Sequence, residues 1–423
     1  MSLYNYENYH SHKFFTNILI ADSPANYEEY IKRVEELGQT VITSVEHGWQ
    51  GNYYLLHDTI QKKNNEYAKR RKKGETNVPK DLKFIFGTEA YWVKDRHEKD
   101  KSNCHMIILA KTEKGRKAIN LALSIANEDG CFNGRPRLDF ELIFSLPKDD
   151  VFITSACIGF WNKYEDIEDI VLKLYDYFGD NFMLEVQNHH TDSQKEINNK
   201  ILKIHSTYGI QLIAGMDTHY IDEIDNIRRD KILEYKGIVY EDEKGWFMDY
   251  PSYEVAFDRF IKQGILSEKN IYDALNNTNL ILSFEDIYLD KNIKLPTMLH
   301  DMTQDQKDNE LKRIINLEWE KFKKEENIDK KEYPKYLQGI REEVNEVVQT
   351  GMADYFLLHY YGLKNGSKKG GRITKRGRGS SVGYFINTLL GFSKVDRFKS
   401  PIKLYPERFM TADRILKSKN LPD

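Results

Sequence analysis

The sequence predicts an α/β fold, and two patterns in roughly its first 225 residues carry that prediction. Short apolar runs recur along this part of the chain, as strands buried on both faces require. The longer segments between them place apolar residues at helical spacing. Alternating strands and helices imply parallel strands joined by crossover helices, and the number of units favours a closed barrel over an open sheet.

These patterns predict six strands and four intervening helices. The strands are expected at residues 40–45, 83–86, 105–110, 151–154, 182–186 and 211–214. The helices are expected at residues 26–37, 115–126, 167–178 and 193–208. A basic run at residues 61–73 indicates a helix with a solvated face, and residues 225–290 are predicted to be mostly helical.

The composition limits the class of protein. The chain has 423 residues and a formal net charge of −3, so nucleic-acid binding would depend on local basic patches. Its three cysteines, Cys104, Cys131 and Cys157, form no CxxC pair, so we expect no disulfide framework and a reducing cytoplasm. The N-terminus lacks the apolar segment of a signal peptide, and no run of 18 apolar residues predicts a membrane span.

Nine side chains of metal-binding type lie along the first 220 residues, most of them at the ends of predicted strands. They are His10, His12, Asp22, His47, Glu89, His105, Cys157, Asp217 and His219. Imidazole, carboxylate and thiolate groups are the usual protein ligands of zinc, manganese and iron. Because a barrel of parallel strands gathers such strand ends at one mouth, the sequence predicts a multinuclear metal site there.

The local spacing of these residues supports the same prediction. His10 and His12 share one side of an extended strand, since side chains alternate with a period of two. His47 is followed by Gly48, which suits a tight turn after a strand. Asp217 and His219 likewise share one face of a strand end. Any one of these residues alone is more typical of a structural hydrogen-bonding residue than of a ligand.

The sequence resembles the PHP (polymerase and histidinol phosphatase) family over about 225 residues. The matching motifs are Tyr9-His10-Ser11-His12, Val45-Glu46-His47-Gly48, Gly87-Thr88-Glu89, His105, Cys157 and Asp217-Thr218-His219-Tyr220. The resemblance implies a distorted (β/α)7 barrel with up to three metals at its mouth. A metal cluster of this kind hydrolyses phosphate esters without a serine or cysteine nucleophile.

The resemblance also implies a role for each residue. His10, His12, Glu89 and Asp217 would hold one ion and form the catalytic set. Glu89 would bridge to a second ion on His105 and Cys157, and a third would lie on Asp22, His47 and His219. Glu46, where the family usually has Asp, would orient a ligand from behind. Because six of the nine ligands are His or Cys, zinc, manganese or iron fits better than magnesium.

A second region begins where the composition shifts near residue 294. We predict a domain of residues 1–290 and a second of residues 291–423, with amphipathic helices at 304–325 and 336–350 and a loop at 363–378. A phosphate-binding loop is expected at Arg376, Gly377, Arg378, Gly379, Ser380 and Ser381. Glycines admit close approach of backbone N–H groups to phosphate, and residues 382–390, predicted to be helical, would add a helix N-terminus. No Asp or Glu occurs between Tyr355 and Val395, which suits a triphosphate or a DNA backbone.

Beyond the barrel, the sequence resembles one branch of the family, the bacterial replicative DNA polymerase III alpha subunits. The matching phrases are Gly351-Met-Ala-Asp-Tyr-Phe-Leu357, Gly377-Arg-Gly-Ser-Ser381, Tyr405-Pro-Glu-Arg-Phe-Met410 and Leu421-Pro-Asp423. The resemblance implies a partial α+β palm domain of the polymerase beta-like nucleotidyltransferase type. It also implies DNA primer–template and dNTP as partners. The family's catalytic aspartates follow the final Pro-Asp pair, so magnesium-dependent polymerisation is expected only with a further segment, for example from a second chain of a phage-type split polymerase.

Three hypotheses follow for function. The first is the N-terminal portion of a replicative polymerase whose PHP domain is a 3′→5′ proofreading exonuclease. The second is a stand-alone phosphatase acting on a small phosphomonoester such as histidinol phosphate, which would have no use for the basic second region. The third is a structural metal site in a docking half of a split polymerase, since metal binding itself contributes folding energy.

Overall fold

The chain forms two compact units, residues 1–289 and 290–423. The computed structural model describes residues 5–13, 23–51, 53–99, 101, 104–156, 158–238, 243–290, 297, 299–372, 374, 379–418 and 422. Each unit has its own hydrophobic core. Among the described residues, no helix is long and apolar enough to cross a membrane.

The first unit is built on a mixed sheet. Its strands are β1 (Val41–Ser44), β2 (Lys83–Trp92), β3 (Cys104–Ala110), β4 (Cys131–Phe132), β5 (Arg135–Leu138), β6 (Val151–Thr154), β7 (Phe182–Gln187) and β8 (Leu212–Gly215). All six predicted strands are present, and β2 extends six residues further than its predicted end at residue 86. The short hairpin of β4 and β5 was not predicted, because two- and four-residue strands leave little periodic signal.

The sheet closes through the N-terminal segment. The pairing order runs β1-β2-β3-β6-β7-β8. Ser11 then forms a parallel bridge with Thr218 just beyond β8, and on its other side its carbonyl accepts the Val45 N–H at 3.4 Å. The N-terminal segment therefore lies between the last strand and the first, which completes a distorted seven-membered barrel.

The prediction that all strands are parallel is wrong for β3. This strand runs antiparallel to both β2 and β6. The physical reason is the connection at residues 93–103, which contains no crossover helix among its described residues, so the chain returns directly alongside β2. The pairs β1–β2, β6–β7 and β7–β8 are parallel as expected.

Helices cover the outside of this barrel. They are α1 (Tyr27–Glu36), α2 (Tyr53–Lys72), α3 (Glu113–Asp129), α4 (Phe140–Phe144), α5 (Ile158–Asn162), α6 (Ile167–Phe178), α7 (Asp192–Tyr208), α8 (Asn226–Tyr235), α9 (Tyr253–Gln263) and α10 (Glu268–Asn277). Asn26 and Glu29 form a capping box that starts α1, and Gly209 ends α7 in the left-handed conformation at φ 75°. Helices are present at all four predicted positions, as α1, α3, α6 and α7, but α3 follows the reversed strand β3 and does not join it to a parallel neighbour.

Strands of the barrel are buried on both faces. In β3, Ile107 and Leu109 pack into the barrel interior with Phe152 and Ile213. The alternate residues of β3, such as Ile108, pack outward against the helices. This double burial explains why the strands appear in the sequence as continuous apolar runs.

The second unit is helical in the part that the structure describes. Its helices are α11 (Gln304–Glu325), α12 (Tyr333–Gln349), α13 (Ala353–Lys368), α14 (Phe385–Leu389) and α15 (Ala412–Ser418). Trp319, Tyr336 and Phe385 lie at the centre of its core. The strands that an α+β palm would contribute are not among these described residues. The predicted loop at 363–378 was wrong for its first six residues, because α13 continues through Gly366 to Lys368.

Candidate metal centre

The mouth of the barrel brings together seven of the nine predicted ligands. The first and last motifs are joined through their backbones: His12 N donates to Thr218 O at 2.8 Å, and Thr218 N donates to His10 O at 3.0 Å. His47, just past the end of β1, and Glu89, within β2, are also joined by a parallel bridge. Backbone pairing between strand ends therefore sets the spacing of the cluster.

Two carboxylates lie at the centre of this cluster. The Asp217 Oδ1 atom lies 3.3 Å from His10 Nε2 and 3.2 Å from His12 Nε2. On the Glu89 carboxylate, Oε2 lies 2.7 Å from His47 Nδ1, while Oε1 lies 3.1 Å from His105 Nδ1. Glu89 therefore contacts imidazoles on both sides, as a bridging ligand would.

Three overlapping groups of side chains could each hold a metal ion. They are His10 with His12 and Glu89, His47 with Glu89 and His105, and His12 with His47 and His219. The atoms within each group lie within 4.8 Å of one another. Glu89 belongs to two groups, as the resemblance implied, whereas His47 is shared between two groups rather than confined to the third ion.

A further carboxylate, that of Glu185, lies behind His10. Glu185 on β7 is buried, and its Oε1 lies 2.7 Å from His10 Nδ1. The same carboxylate accepts hydrogen bonds from Tyr9 Oη at 2.6 Å and Thr154 Oγ1 at 2.9 Å. Sequence reasoning missed Glu185 as a site residue. The signal was a single carboxylate within the buried apolar run at residues 182–186.

Glu46 supports the His10–His12 segment mainly through the backbone. Its carboxylate accepts the Lys13 N–H at 3.0 and 3.2 Å and the Ser44 hydroxyl at 2.8 Å. Its Oε2 atom is 3.9 Å from His12 Nδ1, beyond hydrogen-bond distance. Glu46 therefore fixes the chain beside His12 rather than the imidazole itself.

Two residues of the mouth adopt the left-handed backbone conformation without being glycine. Asp217 has φ 45° and Ala156 has φ 42°. Such angles cost a non-glycine residue free energy and cluster at functional sites. At Asp217 the conformation follows the end of β8 and directs the carboxylate towards His10 and His12.

The charges of the cluster are strongly perturbed. Burial alone would raise the pKa of Glu89, but the imidazoles of His105 and His47 outweigh it and hold that pKa well below its ordinary value. The pKa of Asp217 is likewise held well below its ordinary value, with His10 opposing the effect of burial. Burial and the neighbouring His219 and His47 lower the pKa of His12 to about 3. The cluster thus presents ionised carboxylates and a neutral imidazole, the forms that bind metals.

Several buried polar atoms in the cluster lie close to one another but form no hydrogen bond of good geometry among the described residues. They are His10 Nε2, His12 Nδ1 and Nε2, Glu89 Oε2 and Asp217 Oδ1. Buried polar groups left unpaired are costly, so their convergence calls for a shared partner. The donor set and these unpaired atoms both fit divalent metal ions.

Five of the predicted site residues lie outside the described residues. Asp22 and Cys157, two of the nine ligands, lie outside the described residues. Arg376, Gly377 and Arg378 of the predicted phosphate loop lie outside them as well.

The described part of that loop is a short 3-10 helix. It spans Gly379–Gly383, with Gly379 at φ 60°, and leads into α14. However, the first two N–H groups of α14, on Phe385 and Ile386, donate to the Glu343 carboxylate at 2.9 and 2.8 Å. The N-terminus of α14, which we expected to be open to phosphate, is therefore already capped by an internal carboxylate.

Comparison with known proteins finds a family match in each of the two units. Residues 8–189 match the PHP domain family, and residues 297–423 match the family described as bacterial DNA polymerase III alpha NTPase domain. The chain thus combines a PHP barrel with a region found in one class of DNA polymerase.

The relatives cover nearly the whole chain. It is 25% identical over 435 residues to DNA polymerase III subunit alpha of Aquifex aeolicus, covering 96% of this chain and 35% of that protein. Identity to the corresponding subunit of Borreliella burgdorferi is 26% over 426 residues, with 96% and 34% covered. The DNA-directed DNA polymerase of Bacillus phage SPbeta is 24% identical over 457 residues, with 92% and 34% covered. The chain is similar to DNA polymerase III alpha subunits over nearly its whole length and spans about a third of the length of these relatives.

Proposed function

We propose that the barrel mouth is a divalent-metal phosphodiesterase that removes nucleotides from the 3′ end of DNA during replication. The observation that carries this proposal is the convergence of seven potential ligands at one mouth of the barrel. Four of them, His10, His12, Glu89 and Asp217, carry buried nitrogen or oxygen atoms that have no hydrogen-bond partner among the described residues. His10, His12, Glu89 and Asp217 would hold one ion. His105 with Cys157 would add a second beside Glu89, and His47 and His219 with Asp22 a third.

The residues of the chain prepare the site for this chemistry. Divalent ions in such a site supply Lewis acidity that activates water and offsets charge on phosphoryl oxygens. Glu185 holds His10 in the orientation that turns its Nε2 towards Asp217. The low pKa of Glu89 and Asp217 keeps both carboxylates ionised at neutral pH.

Access to the cluster is one-sided. His10 and His12 are fully buried, whereas the side chains of His47 and His105 are 13% and 21% exposed. A substrate phosphate would therefore approach across His47 and His105. His10 and His12 form the buried floor of the site, and His47 and His105 form its entrance.

Two features favour DNA over a small phosphomonoester. The polymerase relatives match this chain across both units, not across the barrel alone. The second unit also carries a basic, solvent-exposed segment, with Lys368, Lys369 and Arg372 all exposed. Such a segment suits a phosphodiester backbone or the triphosphate of a dNTP, together with Ser380 and Ser381.

Release of the terminal nucleotide from a 3′-labelled, mismatched primer–template tests the proposal. We expect release by the purified chain with zinc or manganese, loss with chelator, and loss in His12→Ala. His97→Ala is the matched control, because His97 is 53% exposed and lies outside the cluster. Absence of release from folded, metal-loaded protein would overturn the proposal.

The complete burial of His10 and His12 also favours a second candidate, a structural metal site. In that case the ions would stabilise the barrel without turnover. A chelator that lowers the melting temperature, with no hydrolysis of DNA or of small phosphomonoesters, would support this candidate.

A further inference from the structure

A pocket of about 540 Å³ adjoins the metal-ligand cluster on the side of His47. His47 forms part of both, and its ring lies 6.2 Å from that of Tyr91 in the pocket wall and 5.0 Å from that of His105 in the cluster. The volume lies within the range typical of small-ligand sites. A ligand here would be in contact with the exposed entrance of the cluster.

The pocket wall combines aromatic and amide side chains. Trp49, Tyr53 and Tyr91 provide ring surfaces, and Asn127 on α3 adds a polar group. A Cβ atom at Gly51 would lie 1.8 Å from the Trp49 ring, so the glycine lets that ring lie flat against the backbone. Aromatic faces with amides nearby are the groups that stack on nucleobases and bind their edges.

One amide oxygen in this wall has no hydrogen-bond partner among the described residues. Gln50 is 8% exposed, and its Nε2 donates to Gly87 O at 3.1 Å. That bond occupies the amide nitrogen, while its Oε1 has no hydrogen-bond partner among the described residues. A buried unpaired acceptor is costly, and a donor on a ligand, such as the exocyclic amine of a base, would satisfy it once the Gln50 amide turns towards the pocket.

The charge of the pocket suits a nucleotide. None of the described residues that line it carries a carboxylate, and the Arg135 guanidinium lies 5.6 Å from the centre of the Tyr91 ring. By contrast, the 630 Å³ pocket beside α8 is lined by four acidic residues, Glu223, Asp230, Glu234 and Glu243, against two basic ones, Arg229 and Lys244. A polyanion is therefore favoured beside His47 and disfavoured beside α8.

We propose that the pocket beside His47 binds the base of the unpaired 3′-terminal nucleotide of DNA, stacked on Trp49. This inference rests on the proposed function, since the terminal phosphodiester must lie at the metal-ligand cluster for its base to reach the pocket. The pocket would then favour frayed ends, because a base paired in the duplex cannot enter it.

The test uses single-stranded DNA with 2-aminopurine, whose fluorescence falls on stacking, at the 3′ end or at an internal position. A terminal phosphorothioate keeps the DNA intact on the zinc-loaded full chain. We expect quenching of the terminal probe by wild type and by Tyr54→Ala, a neighbouring exposed aromatic outside the pocket. Trp49→Ala should abolish the quenching and weaken binding about tenfold.

A second variant guards against misfolding of Trp49→Ala. Asn127 is exposed on α3, so Asn127→Leu should keep the helix and block the pocket, which also removes the quenching. Equal quenching of terminal and internal probes, or full quenching in both variants, would overturn the inference. Nucleotide release from unmodified DNA is measured in parallel, so quenching without release would retain the pocket and reject the hydrolytic function.

Discussion

The His10 Nδ1 atom lies 2.7 Å from the Glu185 Oε1 atom, which commits that ring nitrogen and leaves Nε2 to face Asp217. Burial alone would lower the pKa of His10, but the carboxylates of Glu185 and Asp217 raise it well above its ordinary value. A carboxylate behind a ligating imidazole fixes the ring and increases its basicity. Glu185 is thus the support on which the innermost ligand depends.

We predict that Glu185→Gln weakens metal binding by about 10- to 100-fold, the usual effect of losing such a support. Isothermal titration calorimetry of the metal-free protein with zinc measures the affinity. Glu7→Gln is the matched control, since Glu7 is also a buried carboxylate but accepts from Thr40 and Val41 instead. Equal affinities in Glu185→Gln and wild type would show that Glu185 serves packing alone.

Gly215→Ala on β8 should displace the Glu185 carboxylate on the neighbouring strand β7. A Cβ atom at Gly215 would lie 2.1 Å from Glu185 Oε1, so the carboxylate would have to move. We expect a loss of about 1–3 kcal/mol in the free energy of unfolding, together with weaker metal binding. Gly362→Ala in α13, where a Cβ meets open space, should leave both unchanged or raise stability slightly. Denaturant unfolding and zinc titration of both variants check this, and wild-type behaviour of Gly215→Ala would contradict it.

Two substitutions at Asp217 separate the effect of backbone conformation on stability from the effect of losing a metal ligand. Asn tolerates the φ of 45° found here, whereas a β-branched residue does not. We therefore expect metal-free Asp217→Asn to melt close to metal-free wild type while binding metal poorly. Asp217→Val should lose both stability and binding. If thermal unfolding in chelator shows the two variants equally stable, backbone strain at this position is not significant.

The second unit should lose stability as pH rises from about 4.5 to about 7. Burial, opposed by Arg397, raises the pKa of Glu343 from its ordinary value of 4.5 to about 7. Below about pH 4.5 both folded and unfolded states hold the proton; between there and about pH 7 the unfolded state ionises first, which removes roughly 3 kcal/mol of stability.

Glu343→Gln should therefore gain stability relative to wild type between pH 4.5 and 7.5. Denaturant unfolding of both full-length proteins, followed by tryptophan fluorescence, measures the difference at each pH. A difference that stays constant with pH would mean that Glu343 is ionised throughout this range.

The sequence allowed much of the barrel and its mouth to be predicted, because strand burial and ligand position are both local signals. His47 and Glu89 each follow an apolar run, and the structure joins them by a parallel bridge, with His47 just past β1 and Glu89 within β2. The reversal of β3 could not be predicted. It arises because the described residues of the segment at 93–103 contain no crossover helix that would return the chain for a parallel strand.

Interactions between residues far apart along the chain could not be predicted either. Glu185 was inconspicuous in the sequence because its importance arises from His10, which lies 175 residues away along the chain. Likewise, Glu343 on α12 caps α14 across 42 residues and occupies an N-terminus that the local pattern left open for phosphate. Neither relationship has a signature in local spacing.

The most direct test of this account is the metal content of the purified chain after loading with zinc or manganese and removal of excess ion. Elemental analysis of wild type, His12→Ala and His97→Ala gives the number of ions bound per chain. We predict about two or three in wild type and in His97→Ala, and at least one fewer in His12→Ala. Less than one ion in folded wild type, or the same number in all three proteins, would contradict the assignment of the barrel mouth as a metal centre.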